Sequence, residues 1–216
     1  MSLLDIGVFG ADFMVIMTLI SCILLMRVMP LKDSRLKFFA LYIIVALVVG
    51  VVSYFTRRQG NNAYMAYLHL PLSFILSVLI FLPEKKNKLA RTLSFAMIAV
   101  VLLLNVYEAF IIDGGTTMYN SISTTVSSIT IGVLAIRSLI KLRFDSTVYD
   151  MTSQPMFWIG IAFAVMNIAN IISDAFYRSF QNIEGDTLLK MVITSMAVSY
   201  LATFIYWIGI LKIKRS

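Results

Sequence analysis

The chain alternates between long apolar runs and short connections that collect most of its charge. A hydrocarbon core ~30 Å thick takes ~20 apolar residues of helix to cross. Seven segments meet that length, at about 6–29, 37–56, 63–82, 90–112, 119–140, 155–178 and 187–211. The pattern predicts an all-α integral membrane bundle of seven transmembrane helices in a single domain. The prolines agree, since Pro30 and Pro83 follow the ends of spans one and three, and Pro155 opens span six behind Thr152 and Ser153. Pro71 alone falls inside a span, where a kink is expected.

Span six, Pro155 to Arg178, shows the clearest division of faces. At ~100° per residue, Gly160, Phe163, Asn167, Asn170, Asp174 and Tyr177 fall on one side, and Ile161, Val165, Ile168, Ile172 and Phe176 fall opposite. The first face is expected to look into the bundle and the second to meet lipid. Span two, with the run FFALYIIVALVVGVV and Tyr42 as its one polar side chain, is expected to face lipid over much of its surface. Span three is polar on two sides, with Tyr64, Tyr67 and Pro71 on one row and His69, Ser73 and Ser77 on another, which predicts a central position.

Composition supports the membrane reading: 60% of the 216 residues are apolar and 13% are charged, far from the balance of a soluble domain. The opening MSLLD lacks the basic stretch of a signal peptide, so span one is expected to be retained. Charge then sets the orientation. Alternate ends of the spans hold 14 and four of the Lys and Arg residues, for net charges of +10 and −3 once the acids are assigned. The positive-inside rule places the N-terminus outside and the C-terminus in the cytoplasm. The same sided charge predicts contact with anionic inner-leaflet lipid rather than nucleic acid, in a cytoplasmic (inner) membrane.

Several chemistries lose their support. The single cysteine, Cys22, and single histidine, His69, cannot form thiolate or multi-histidine metal sites, so no metal or cofactor is implied. His69 reads as a hydrogen-bonded core residue. Retinal binding needs a Schiff-base lysine in mid-membrane, and span seven offers only Lys190, at its outer end. No internal repeat of the kind seen in small permeases is present. Trp158, Tyr206 and Trp207 near the inner ends read as an interfacial belt.

Polar residues gather instead in the outer halves of the spans. The candidate ligand-binding set is Asp12, Tyr64, Tyr67, Asn105, Glu108, Asn167, Asn170, Asp174, Ser195 and Ser199, with further small polar residues from Asn120 to Ser128. Carboxylates within a span are costly unless paired or hydrated, which singles out Asp12, Glu108 and Asp174. Rows of Ser, Thr and Gly in spans five and seven read first as packing surfaces. The expected site is an outward-facing polar pocket between spans three to seven, in a receptor-like or sensor-like protein. A small-solute permease and a membrane-embedded hydrolase are the alternatives.

Span six opens with Pro155, Phe157, Trp158 and Ile159, and span seven closes with Tyr206, Trp207, Ile208 and Gly209 before a basic tail. In this the chain resembles a group of uncharacterised bacterial seven-helix membrane proteins with a Pro-x-Phe-Trp-Ile sixth helix, similar to the membrane input modules of sensor kinases. The resemblance implies signalling through a cytoplasmic or membrane partner. Asn167 and Asn170 stand where that group usually has glycine and aromatics, and Thr194 and Ser195 where it often has histidine.

Overall fold

The computed structural model describes residues 3–56, 63–112, 120–145, 150–180 and 185–213, with the side chains of 3–8, 63, 173–180, 185–189 and 191–192 outside that description. Seven α-helices make up these residues: α1 (Leu3–Met26), α2 (Ser34–Thr56), α3 (Ala63–Ile80), α4 (Lys88–Tyr107), α5 (Ser121–Arg143), α6 (Pro155–Phe180) and α7 (Gly185–Leu211). A π-helical turn, Glu108–Ile112, prolongs α4, and a short 3₁₀ turn, Met151–Ser153, leads into α6.

Each helix lies close to its predicted span, and local hydrogen bonding explains the shifts. The second helix begins three residues earlier than expected because Asp33 caps it, accepting from the Arg35 amide at 2.8 Å while its carbonyl accepts from Lys37. Asn87 caps α4 by accepting from the Ala90 amide at 3.1 Å. Six of the helices are long and apolar enough to cross a membrane. The expected seventh span, α3, is shorter, with an apolar stretch of Tyr64–Ile80. It is buried on several sides, through Met65, Tyr67, Leu70, Phe74, Leu76, Val78 and Ile80, and it touches α2, α4 and α5. Its remaining face, with Tyr64, Leu68 and Leu72, is exposed, so α3 is a wall of the bundle and not the central helix that its two polar rows predict.

Every consecutive pair of helices packs together, α3 also touches α5, and α7 returns to α1. The ring thus closes through α3 and α5, leaving α4 on its outside. Helix α4 meets the bundle along one seam, where Ser94, Val101, Asn105 and Glu108 are buried at helical spacing, while Leu93, Val100, Leu103 and Val106 are exposed. Apolar side chains cover the outer surface elsewhere too, among them Leu41, Ile44, Val48, Ile129, Val133 and Leu201, whereas serines and asparagines are buried. Soluble domains show the reverse.

Small residues set the closest helix approaches. A Cβ on Gly160 would lie 2.9 Å from Leu139 Cδ2, and one on Gly209 would lie 3.2 Å from the Pro155 carbonyl. These glycines let α6 lie against α5 and α7 against the start of α6. At that start, Trp158 Nε1 donates to the Thr152 carbonyl at 2.8 Å and its ring meets Phe157 edge-on, which folds the connection back onto α6.

Candidate functional site

A cavity of about 640 Å³ lies inside the ring. Its wall comes from α1 (Ala11 to Thr18), α2 (Tyr42 to Tyr54), α3 (Ala66 to Ser77), α5 (Asn120 to Ile131), α6 (Phe163 to Asn170) and α7 (Met196 and Ser199). In the antiparallel bundle these stretches are the first half of α5, most of the second half of α2, most of α3, and the middle of α1, α6 and α7. The cavity therefore spans the middle of the bundle and extends toward the side of the α1 N-terminus.

The opposite end is filled. Phe163 is fully buried, and its ring lies 5.1 Å from Phe81, 5.2 Å from Tyr42, 5.4 Å from Tyr206 and 6.5 Å from Phe39, centroid to centroid. Edge-to-face and tilted pairs at these distances are favourable beyond simple burial. Phe163 and Tyr42 also line the cavity, so this aromatic cluster forms its floor. Ile159, Val78, Ile80 and Ile210 are buried in the same apolar core. Tyr206 thus belongs to the core instead of an interfacial belt, because its ring completes the floor. Trp207 likewise turns inward, donating from Nε1 to the buried Ser21 hydroxyl at 2.8 Å.

Of the sequence-predicted residues, Asp12, Asn167, Asn170 and Ser199 line the cavity. On α6 the two faces divide as the periodicity predicts for the described positions. Asn167 is buried, while Ile168 and Ile172 are 50% and 56% exposed. Asn167 Nδ2 donates to the Phe163 carbonyl at 2.8 Å, and Ser195, just behind the wall, donates to Asn170 Oδ1 at 3.4 Å. The side chain of Asp174 lies outside the described residues.

Asn105 and Glu108 are placed elsewhere, and α4 contributes no described residue to the wall. Glu108 is fully buried and reaches across to the first turn of α5. Its Oε1 accepts from the Ile122 amide at 2.8 Å and its Oε2 from the Ser123 amide at 2.7 Å, with the Ser123 hydroxyl donating to Oε2 as well. A carboxylate at a helix N-terminus satisfies orphan amides and complements the helix dipole. Here the cap comes from a neighbouring helix, because Asn120, the residue before α5, makes no side-chain cap bond.

Asn120 is instead the end of a relay. The Tyr67 carbonyl can only accept, so Asn105 must present Nδ2 to it, at 3.1 Å. Asn105 Oδ1 then accepts from Asn120 Nδ2 at 2.7 Å. This chain of constraints fixes the orientation of both amides and leaves Asn120 Oδ1, on a residue with no exposed surface, as a buried acceptor without a partner among the described residues. Tyr67 itself is buried and Tyr64 is partly exposed, and neither lines the cavity.

Residues outside the predicted ligand-binding set complete the wall. The row His69, Ser73, Ser77 faces the cavity, and His69 Nε2, expected to be hydrogen-bonded in the core, has no partner among the described residues. Helix α2, expected to face mostly lipid, adds Tyr42, Ser53 and Tyr54. The signal for His69 was its spacing with Ser73 and Ser77, a polar row that needs a wet or protein-lined neighbour. Among the described residues no group of His, Cys, Asp and Glu could hold a metal. Of the candidate carboxylates with described side chains, Asp12 lines the cavity whereas Glu108 is engaged in capping α5, so these two do not converge.

No family model matches the chain, and no curated protein or solved structure is detectably similar to it.

Proposed function

We propose that this chain is a multi-pass membrane protein that binds a small ligand in an outward-facing cavity and acts as a receptor or sensor. The observation that carries this reading is the one-sidedness of the cavity. Polar groups line the space from the middle of the bundle toward the side of the α1 N-terminus, and the Phe163 cluster closes the opposite end. A transporter must expose its site to both sides in turn, whereas a blind cavity suits binding and release on one side.

Seven spans, the N-terminus outside and the C-terminus in the cytoplasm follow from the sided charge of the connections. The basic connections then face the cytoplasm. Arg35, Arg137 and Lys141 border a second cleft of about 270 Å³ on that side, where the exposed Glu84 pairs with Lys141. This is the surface for anionic lipid or a signalling partner, as in the membrane input modules that the sixth-helix motif resembles.

Native mass spectrometry of the purified chain, together with thermal-shift screening of small molecules, tests the binding role. A retained or stabilising ligand whose effect disappears in Asn167→Leu and Asn170→Leu is the expected result. Ligand uptake into sealed proteoliposomes that those substitutions abolish would replace the sensor reading with transport.

A further inference from the structure

We infer that the cavity takes a small organic ammonium ion, with N–H donors at its charged end and an apolar body. This rests on the binding role proposed above and adds the chemical class of the ligand. The wall is rich in acceptors. Thr18, Ser73, Ser77, Thr124, Ser127 and Ser199 all line it, and each donates its hydroxyl hydrogen to a carbonyl three or four residues earlier on its own helix. What they turn toward the space are lone pairs.

Two of the three lining asparagines follow the same direction, Asn170 being the exception because its Oδ1 already accepts from Ser195. Asn167 has its Nδ2 engaged with the Phe163 carbonyl, and the relay from Tyr67 through Asn105 leaves Asn120 Oδ1 as a fully buried acceptor awaiting a donor. That vacancy is not adjustable: rotating the Asn120 amide would set two oxygens against each other at Asn105. A buried acceptor with no donor is costly, and a ligand N–H removes the cost.

Charge and shape narrow the class. Asp12 carries the one formal charge among the described lining residues, and it is negative. Apolar side chains such as Leu70, Ile131 and Met166 make up much of the remaining wall, and Phe74, Tyr42 and Phe163 present rings suited to a cation. An ammonium group supplies three donors and no acceptor. An anion would meet a carboxylate and a field of lone pairs.

The test compares three ligands of one shape on the full chain in phosphatidylcholine nanodiscs, by calorimetry with empty nanodiscs subtracted: phenethylammonium, phenethyl alcohol and hydrocinnamate. Phenethylammonium is expected to bind about tenfold or more tighter than the alcohol, the scale of a charge-assisted against a neutral hydrogen bond. Hydrocinnamate is expected to be weakest. Asp12→Asn should remove most of the ammonium preference and leave the alcohol unchanged; if that variant misfolds, the ranking on the native chain decides alone. Equal affinities, or a preference for the anion, would overturn the ammonium assignment and leave a binding cavity standing. An ammonium preference that persists when Ala46→Phe fills the cavity would place the binding elsewhere and overturn it too. No binding of any of the three would remove the assignment and the binding role together.

Discussion

Removing the Glu108 carboxylate should weaken the fold more than any other single change on α4. Glu108→Ala deletes three hydrogen bonds, two from the Ile122 and Ser123 amides and one from the Ser123 hydroxyl. Hydrogen bonds to a charged acceptor contribute about 1.5 to 3 kcal/mol each, and a buried amide left without a partner costs about 1 to 3 kcal/mol. These figures overlap because they describe the same contacts, so a loss of about 3 to 5 kcal/mol is expected for the pair of orphaned amides and the void together. Glu108→Gln keeps one acceptor and turns an NH₂ toward the other donors, for an intermediate loss of about 1.5 to 3 kcal/mol. Reversible unfolding in mixed micelles, titrated with a denaturing detergent, measures both. Hydrogen exchange at the Ile122 and Ser123 amides localises the effect, since a lost cap frays the first turn of α5 before the rest of the bundle. Two variants within about 0.5 kcal/mol of the native chain, with exchange at those amides unchanged, would refute the capping role and return Glu108 to the list of ligand-binding candidates.

Phe163→Ala should cost about 3 to 5 kcal/mol as a buried aromatic truncation and open the cavity floor, so that a bulky thiol reagent reaches a cysteine introduced at Val78; an unreactive Val78→Cys in that background would contradict the floor. Tyr200→Phe removes the 2.6 Å hydrogen bond from the phenol to the Gly10 carbonyl, with a loss of about 1 kcal/mol in the same unfolding assay and a looser α1–α7 contact. Gly160→Leu has no room beside Leu139 and should fail to give a monodisperse protein on size exclusion, whereas Gly50→Ala, which meets only Val15 Cγ2 at 3.3 Å, should be tolerated. The Lys141 ammonium, by hydrogen bond and then by charge, lowers the pKa of Glu84. A lowered carboxylate stabilises the fold above its unfolded pKa and loses that contribution as pH falls through the folded value. The difference in stability between the native chain and Glu84→Gln should therefore be constant at neutral pH, close below the ordinary carboxylate range, and shrink with salt.

The faces of α6 were legible because one helix carries both halves of the contrast: Asn167 and Asn170 against Ile168 and Ile172 leave a single rotation that suits both lipid and interior. Position along the bundle axis was legible in the same way, since counting residues from a helix end gives it directly. Radial direction was not. Asn105 and Glu108 share the cavity's depth, but their seam on α4 points at α3 and α5, and nothing local to α4 distinguishes a neighbouring helix from a cavity. Sequence spacing aligned Ser94 with that pair correctly, yet the alignment identifies a seam without its partner. Tyr206 was misplaced for a related reason. Aromatic residues near span ends are usually interfacial, and only the approach of Phe39 and Phe163 from other helices makes this one core. The acceptor on Asn120 was beyond sequence altogether, because it depends on a carbonyl in α3 fixing an amide in α4.

The Glu108 cap also bears on how such a chain would enter the bilayer. For a protein that inserts as proposed, α5 is a reluctant passenger, with Ser121, Ser123, Thr124, Thr125, Ser127 and Ser128 in its first turns, and Glu108 would be a lone buried carboxylate on α4. Neither helix is content in lipid by itself. Joined, the carboxylate meets the amides and hydroxyl that need it, so the α4–α5 hairpin is the smallest piece in which Glu108 and the first turn of α5 are satisfied. The two should leave the insertion machinery as a pair, with α5 waiting for nothing beyond its immediate predecessor.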